Sequence, residues 1–266
     1  MTELRTPLEI AIARNDLEAV QQRLQAGDCP QAPNHLGIPV LYDGLASENT
    51  DILNLLETCK PDWTLTYNPG GFTPLIYASL HCSLPTIRWL VERGQRPDQR
   101  TSQGVGVMHV AVQRPDVAVA EYLYTQGADP FAVTKHGELP LLTSLKSKHG
   151  LDAFNFLLTC YTKSGHTLTD QLMACLACIF DKQRDNAVQA VRALLPFMET
   201  EGVATEPEIR AYLSQPGVYT SAPFRSLDAT LQTRLSRTLF ALLKAERIGR
   251  ASKSDTAAQW QTFQGL

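Results

Sequence analysis

The stretch GGFTPLIYASLHCSLPTIRWLVERGQRPD, residues 70–98, contains the pattern that decides the fold. Thr73 is a suitable N-cap for a helix starting at Pro74, because proline fits the first helical turn, where its missing N–H needs no partner. The polar break HCSLP separates this helix from a second apolar-periodic segment. That segment ends at Gly94, where a left-handed C-cap is expected. The stretch therefore predicts a helical hairpin.

Each helix of this hairpin has one apolar stripe. The stripe of the first helix is expected at Leu75, Ala78 and Ser79, and that of the second at Ile87, Leu90 and Val91. Neither helix can bury its stripe alone, so such a hairpin must stack on a neighbouring unit.

The features of this hairpin recur along the chain in steps of 33, 34, 33 and 33 residues. The positions equivalent to Pro74 are Pro7, Val40, Val107 and Pro140. A glycine lies three residues before four of the five positions, at Gly37, Gly71, Gly104 and Gly137. Each unit closes after an apolar segment, at Gly27, Cys59, Gly94 and Gly127. Three markers in phase indicate a true repeat.

This pattern resembles the ankyrin repeat, whose signature is a period of about 33 residues with T-P-L-H-x-A. The resemblance is carried by Thr6-Pro7-Leu8 with Ala11, Thr73-Pro74-Leu75 with Ala78, Met108-His109 with Ala111, and TQGADPFAVTKHG at 125–137. It covers residues 4–165 and implies five units of an all-α helical solenoid with β-hairpin or loop tips.

Two units depart from the ankyrin-like pattern and are expected to be the least regular. The second has Val40 for proline and Asp43-Gly44 where small apolar residues are usual, and its ending LLETCKPDW is expected to be one residue short. The fifth ends LLTCYTKSG, which predicts an ending without the glycine cap.

Beyond Gly165 the repeat phase fades, although helical patterns continue. Residues 168–180 and 186–198 predict a sixth, degenerate hairpin that caps the stack. A short helix at 206–214 and a last helix from Ser226 follow, and the tail from Gly249 is polar. The expected organisation is five repeats at 1–165, a capping hairpin at 166–200, and C-terminal helices with a tail at 201–266.

Composition and charge narrow the classes of partner. A net charge of −3 and a pI near 6.1 give no global attraction to nucleic acid or to anionic membranes. Charges at Glu3, Arg5 and Glu9 interrupt any signal-peptide core, and no apolar run is long enough to span a bilayer. The six scattered cysteines are typical of reduced thiols. We therefore expect a soluble cytoplasmic chain without a membrane or nucleic-acid partner.

Few residues of the sequence suggest a catalytic or metal-binding site. Cys175 and Cys178 have Cys-x-x-Cys spacing, which could bind zinc or undergo redox cycling, but no second pair exists at matching spacing. Their place in an apolar helix favours two buried core thiols. The resemblance implies that His109 is structural and caps the adjacent loop. No G-x-x-x-x-G-K, H-E-x-x-H or G-x-S-x-G motif occurs, so we predict no catalytic residue, metal or cofactor.

The last predicted helix and the tail are rich in basic residues. They are the solvated face of an amphipathic helix or a contact patch for an acidic partner, which could include nucleic acid. The residues are Arg225, Arg234, Arg237, Lys244, Arg247, Arg250 and Lys253.

The resemblance also places the partner site. In ankyrin-like stacks the repeat tips and the first helices make a continuous concave surface that holds the partner. The tip residues of this surface are His35, Leu36, Ile38, Phe72, Gln103, Val105, Lys135, His136 and Glu138, and the ends of the first helices are Arg14, Ser47, His81, Arg114 and Lys146. Phe72 is an interface anchor or packs on the next hairpin, and His81 contacts the partner or only solvent.

These observations predict a binding protein that is a monomer when free and binds one protein partner stoichiometrically. The resemblance permits an inhibitor or immunity-type protein of a bacterial toxin. The alternative is a secreted effector or enzyme whose activity lies in residues 166–266, with the repeats as a targeting module. A cleft with convergent titratable side chains in that region would support the alternative. Self-association through the last helix would indicate an oligomeric scaffold.

Overall fold

The computed structural model describes residues 5–66 and 70–165, together with 175, 178–179 and 187–200. The chain divides into two compact units, Met1–Cys160 and Tyr161–Leu266. In the described residues every regular element is an α-helix, and strand-like pairing is limited to two isolated bridges, Pro33 with Pro39 and Arg100 with Gly106. None of the described helices has the length and apolarity needed to cross a membrane.

Ten helices of the described chain form five consecutive hairpins, each made of a short first helix and a second helix. The hairpins are α1 (Pro7–Ala13) with α2 (Leu17–Gln25), α3 (Leu41–Ala46) with α4 (Thr50–Glu57), α5 (Pro74–His81) with α6 (Leu84–Glu92), α7 (Val107–Ala111) with α8 (Ala118–Thr125), and α9 (Pro140–Lys146) with α10 (Leu151–Ser164). The first helices contact one another in chain order, from α1 to α9. The predicted stack of helical hairpins is therefore confirmed.

The first helices begin where the sequence predicts, because side chains cap them. Thr73 accepts a hydrogen bond from the backbone N of Ile76 at 3.4 Å, ahead of Pro74. In the first unit Thr6 and Glu9 form a reciprocal capping box, with bonds of 3.2 and 3.3 Å. Such caps satisfy backbone donors that the first helical turn leaves unpaired.

The predicted stripes form the core of the third hairpin. Leu75, Ala78 and Ser79 of α5 have no exposed surface. The Ser79 hydroxyl donates to the Leu75 carbonyl oxygen at 2.7 Å, so this buried polar group is satisfied. On α6, Leu90 is also fully buried, whereas Val91 is only half-buried.

The ending of the second unit differs from the prediction. Gly27, Gly94 and Gly127 have φ values of +96°, +84° and +90°, and Lys60 takes φ +48° at the equivalent position. Its backbone N donates to the Glu57 carbonyl oxygen at 2.9 Å, as the glycines do in their units. The expectation that this ending lacks a residue is therefore wrong: the unit keeps its full length, and Lys60, not Cys59, takes the left-handed position.

The expectation of an uncapped fifth unit is also wrong. The second helix α10 continues for 14 residues to Ser164, and Gly165 follows it with φ +69°. Tyr161, on the additional turn, is 3% exposed. Gly165 comes later in its unit than the other glycines because α10 is longer and its additional turn buries Tyr161.

The other departures in the second unit have local causes. Val40 has helical backbone angles but makes no side-chain cap bond, and α3 begins one residue later. Gly44 is buried in α3, and a Cβ built there would lie 2.4 Å from Cδ1 of Leu56 on α4. A glycine at this position therefore lets α3 and α4 approach closely.

Beyond Gly165 the helix α11 (Ala187–Thr200) lies where a helix is predicted over 186–198. Cys175, Cys178 and Ile179 are helical and buried. The rest of the predicted capping hairpin, the helix at 206–214, the last helix from Ser226 and its basic residues lie outside the described residues.

Candidate functional site

The ends of the first helices are joined into a row by hydrogen bonds between neighbouring units. Nη1 of Arg114 donates to the carbonyl oxygen of Leu80 at 3.1 Å. The Ser147 hydroxyl donates to the carbonyl oxygen of Gln113 at 3.0 Å. Nδ2 of Asn49 donates to Oδ1 of Asn15 at 3.2 Å, which links the second unit to the first. Side chains at these helix ends therefore belong to one continuous surface.

The repeat tips form a second row beside the first. The backbone N and the hydroxyl of Ser102 both donate to the Gly70 carbonyl oxygen, at 3.2 and 3.1 Å. The backbone N of Lys135 donates to the carbonyl oxygen of Gln103 at 2.9 Å. Gly104 has φ +80°, and a Cβ there would lie 3.2 Å from Cα of Thr134, so the tips of the fourth and fifth units are in close contact.

The position two residues after the equivalent of Pro74 ties some units to the tip that follows. His109 is 2% exposed, and its Nδ1 accepts from the backbone N of Gly106 at 3.2 Å. Its Nε2 therefore carries the proton and donates to the Glu138 carbonyl oxygen at 3.1 Å. Desolvation by burial lowers the pKa of His109, which favours the neutral ring. The structural role predicted for His109 is confirmed.

Tyr42 occupies the equivalent position of the second unit. Its hydroxyl is a donor to two carbonyl oxygens, that of Leu65 at 2.7 Å and that of Phe72 at 2.9 Å. Phe72, in the tip of the third unit, is half-buried, so it is partly packed and partly exposed to solvent. The backbone of this tip is therefore held by a side chain from the preceding unit.

Glu9 has the same role in the first unit. It is 2% exposed, and its Oε2 accepts from the backbone N of His35 at 3.3 Å. Nδ1 of His35 lies against the same carboxylate, and Nε of Arg5 is 3.5 Å from Oε1. Nearby, burial raises the pKa of Asp43, opposed by a 2.9 Å hydrogen bond from Nδ2 of Asn34. His35 is therefore anchored to α1.

None of the fourteen residues predicted to bind a partner is buried. Seven are exposed: Arg14, Leu36, His81, Gln103, Lys135, His136 and Lys146. Seven are half-buried: His35, Ile38, Ser47, Phe72, Val105, Arg114 and Glu138. By repeat phase Ser147, rather than Lys146, is equivalent to Arg114. We call these fourteen residues, with the other exposed or half-buried residues of the first helices and tips, the candidate face.

The middle of the candidate face contains an aromatic group that the sequence prediction omitted. The rings of Tyr77 and His81, both on α5, lie 4.8 Å apart between centroids. Tyr77 also makes an edge contact with Tyr42 at 5.2 Å. Tyr77 lies three residues after Pro74, one helical turn before His81, and this spacing was the signal that could have identified it.

A second aromatic cluster lies on the second helices and is structural. The rings of Trp63 and Trp89 are 5.2 Å apart, and the guanidinium of Arg93 is 3.9 Å from the Trp89 ring centroid. Nε1 of Trp89 donates to Oδ1 of Asn54 at 2.9 Å, and Nε1 of Trp63 donates to Glu57 at 2.5 Å. The cluster holds the loop after α4 against α6.

The thiols of Cys175 and Cys178 are 0% and 6% exposed, as their helical spacing predicts. Burial raises the pKa of the Cys175 thiol and raises that of Cys82 to about 12, so both thiols are held protonated. Among the described residues, no group of histidine, cysteine and carboxylate side chains is arranged to hold a metal ion.

Comparison with known proteins agrees with the geometry of the hairpins. A family model described as ankyrin repeats (3 copies) matches residues 41–134. A putative ankyrin repeat protein of Rickettsia felis (strain ATCC VR-1525 / URRWXCal2) is 25% identical over 143 residues, which is 45% of this chain and 37% of the relative. The chain thus spans well under half the length of this relative. The stacked hairpins and left-handed glycines agree with this match, and residues 41–134 of this chain form ankyrin repeats.

Proposed function

We propose that the chain binds one partner protein, in one-to-one stoichiometry, through the candidate face. Ankyrin repeats are protein–protein interaction modules, and stacked repeats create extended binding surfaces. The observation that supports this site most directly is the hydrogen bonding between neighbouring units, along the helix ends from the first unit to the fifth and along the tips from the third to the fifth. A partner can therefore contact several units at once on a surface that is already ordered.

The composition of the candidate face supports a protein partner. Leu36 is 67% exposed, the highest value among the exposed large hydrophobic residues of the described chain. The Tyr77–His81 pair lies one unit further along, and polar residues such as Gln103 surround these apolar groups. Aromatic and aliphatic anchors within a polar rim are typical of protein interfaces.

The finer proposal is that binding inhibits the partner, as an immunity-type protein inhibits a bacterial toxin. It rests on the family resemblance. The opposing hypothesis, an effector or enzyme activity in residues 166–266, concerns a region that lies largely outside the described residues.

The test is affinity capture from the source cells, followed by calorimetric titration of the captured protein. We expect near one-to-one binding to the chain, and loss of most of the affinity when Leu36→Ala and His81→Ala are combined. Both side chains are exposed, so the free energy of unfolding should barely change. The matched control is Glu121→Lys, an exposed position on α8 outside the candidate face.

The outcomes separate the hypotheses. Full binding by the double variant would place the site elsewhere, first among the basic residues 225–253 near the C-terminus. A partner that binds but keeps its own activity in the complex would exclude the inhibitor role and indicate an adaptor. An activity found in the chain alone would favour the alternative for residues 166–266.

A further inference from the structure

The charge on the candidate face is unevenly distributed. The whole chain carries a net charge of −3, yet residues 131–150, which include the fifth tip and α9, contain Lys135, Lys146 and Lys148 against the single carboxylate of Glu138. Arg114, three residues after the end of α7, adds a further cation. The fourth and fifth units therefore present a basic end of the candidate face, within a chain that is acidic as a whole.

Most of these cations have no carboxylate partner among the described residues. Lys146 is paired with Glu138 at 2.8 Å, whereas the ion pairs of the described chain include none made by Arg114, Lys135 or Lys148. Lys135 and Lys148 are exposed, so water solvates them in the free chain. These side chains are therefore available to a carboxylate from outside.

Arg114 is the best placed of these cations to bind a carboxylate. Its Nη1 donates to the Leu80 carbonyl oxygen at 3.1 Å, which ties the guanidinium to the end of α5. Its Nε is shielded from solvent and has no hydrogen-bond acceptor in the described chain. A fixed, partly desolvated guanidinium binds a carboxylate more strongly than a mobile lysine does, because less side-chain entropy is lost.

The other end of the candidate face has exposed aliphatic side chains beside Arg14 and His35. Ile10 on α1 is 36% exposed and Leu36 at the second tip is 67% exposed. The Tyr77–His81 pair on α5 lies between these aliphatic residues and Arg114. The exposed aliphatic residues, the aromatic pair and most of the cations of the candidate face therefore follow one another in chain order.

Building on the proposed function, we propose that the segment of the partner held by the candidate face is an acidic peptide with an apolar anchor. Its carboxylates lie over the fourth and fifth units, where Arg114 and Lys135 receive them. Its apolar residue lies over the second and third units, between Leu36 and Tyr77. Charge complementarity sets the direction of the segment along the stack, and the apolar contact contributes the greater part of the affinity.

A nucleic acid fits this surface less well than an acidic peptide. Phosphate backbones are bound by many regularly distributed cations, whereas here the cations other than Arg14 are concentrated in the fourth and fifth units. The carboxylates of Glu138 and Asp43 would also repel the phosphates, and the exposed Leu36 would make no favourable contact with them.

The experiment is a selection from a phage-displayed library of random dodecapeptides on the immobilised full chain. Synthetic copies of the enriched peptides are then titrated by fluorescence anisotropy. We expect enriched peptides to contain a large apolar residue and a cluster of Asp and Glu. Replacing both lysines by Lys135→Glu and Lys148→Glu should raise Kd by about tenfold or more at low salt, and 0.5 M salt should remove most of that difference.

The control variant is Lys163→Glu, which reverses an exposed lysine on α10 outside the candidate face and should leave Kd unchanged. The enriched peptides could instead lack acidic residues and lose affinity when Leu36→Ala and His81→Ala are combined, but not on charge reversal. That result would overturn this inference and leave the proposed face standing. Peptides insensitive to both sets of variants, or no enrichment at all, would overturn both. If a thymidine oligonucleotide bound more tightly than every enriched peptide, the acidic-peptide inference would be overturned in favour of nucleic acid.

Discussion

At the scale of single residues, one position of the repeat carries different chemistry in different units. The position two residues after the equivalent of Pro74 holds Glu9, Tyr42 or His109, and each bonds to the tip of the following unit. In the third and fifth units the same position holds the apolar residues Ile76 and Leu142. The hydrogen-bonding requirement lies in the tip backbone, so any side chain with a suitable polar atom at that distance can satisfy it.

The lowered pKa of His109 predicts a pH dependence of stability. Burial favours the neutral ring in the fold, while the unfolded ring titrates near 6.5, so below that pH the unfolded state binds more protons. The free energy of unfolding should therefore decrease as pH falls from 6.5 to the lower folded pKa, and stop changing on this account below it. Urea titrations between pH 5 and 7.5, at spacings of about half a unit, measure this slope.

The control for this prediction is His109→Gln, which removes the titrating ring and keeps a polar side chain. The variant should be less stable near neutral pH and should have a shallower decrease of stability on acidification. An identical slope in the two proteins would mean that other histidines carry the pH dependence.

At the scale of elements, the helix endings separate regular units from irregular ones. The second helices α2, α6 and α8 end at a glycine with positive φ, whereas α4 ends with Lys60 at φ +48°. A side chain with a Cβ is disfavoured in this conformation by roughly 1–2 kcal/mol. The second unit tolerates this strain, and the Trp63–Trp89 contact holds the loop that follows it.

Lys60→Gly should therefore stabilise the protein by about 0.5–1 kcal/mol, because relief of the left-handed strain exceeds the added entropy of the unfolded chain. The midpoint of urea unfolding measures the effect, and it should increase with no change in the m-value. Cys59→Gly serves as a matched control that adds the same flexibility one residue earlier. An equal gain from Cys59→Gly, or none from Lys60→Gly, would contradict the assignment of Lys60 to the capping position.

At the scale of the whole repeat region, stability comes from contacts between neighbouring units. Helix α5 contacts α3 before it and α7 after it, as well as its own partner α6. Leu75 has no exposed surface in this helix. In a stack of this kind, damage to a central unit weakens two interfaces at once.

Leu75→Ala should destabilise the protein by about 2–5 kcal/mol, because a buried leucine is lost and a cavity remains. Chemical denaturation followed by circular dichroism measures the change. Leu36→Ala, at an exposed tip, should change the free energy of unfolding by less than about 0.5 kcal/mol. Equal effects of the two substitutions would contradict the repeat phase on which the candidate face depends.

The sequence alone determined the repeat, its phase and its helical hairpins, because these depend on local signals. Proline and threonine at helix starts, glycine before them and apolar spacing within them act over a few residues, so they can be read without the fold. The same signals identified the row of positions that became the candidate face, including Leu36, His81 and Arg114.

Only the tertiary structure decided how the units are joined and which side chains remain available. Glu9 bonds to a tip 26 residues away, and Arg114 reaches across to the neighbouring helix at Leu80. Lys60 takes the place of a glycine, and Tyr77 makes an edge contact with Tyr42 of the preceding unit. These features depend on packing between residues about one repeat apart or on strain that packing sustains, and local sequence signals do not encode either.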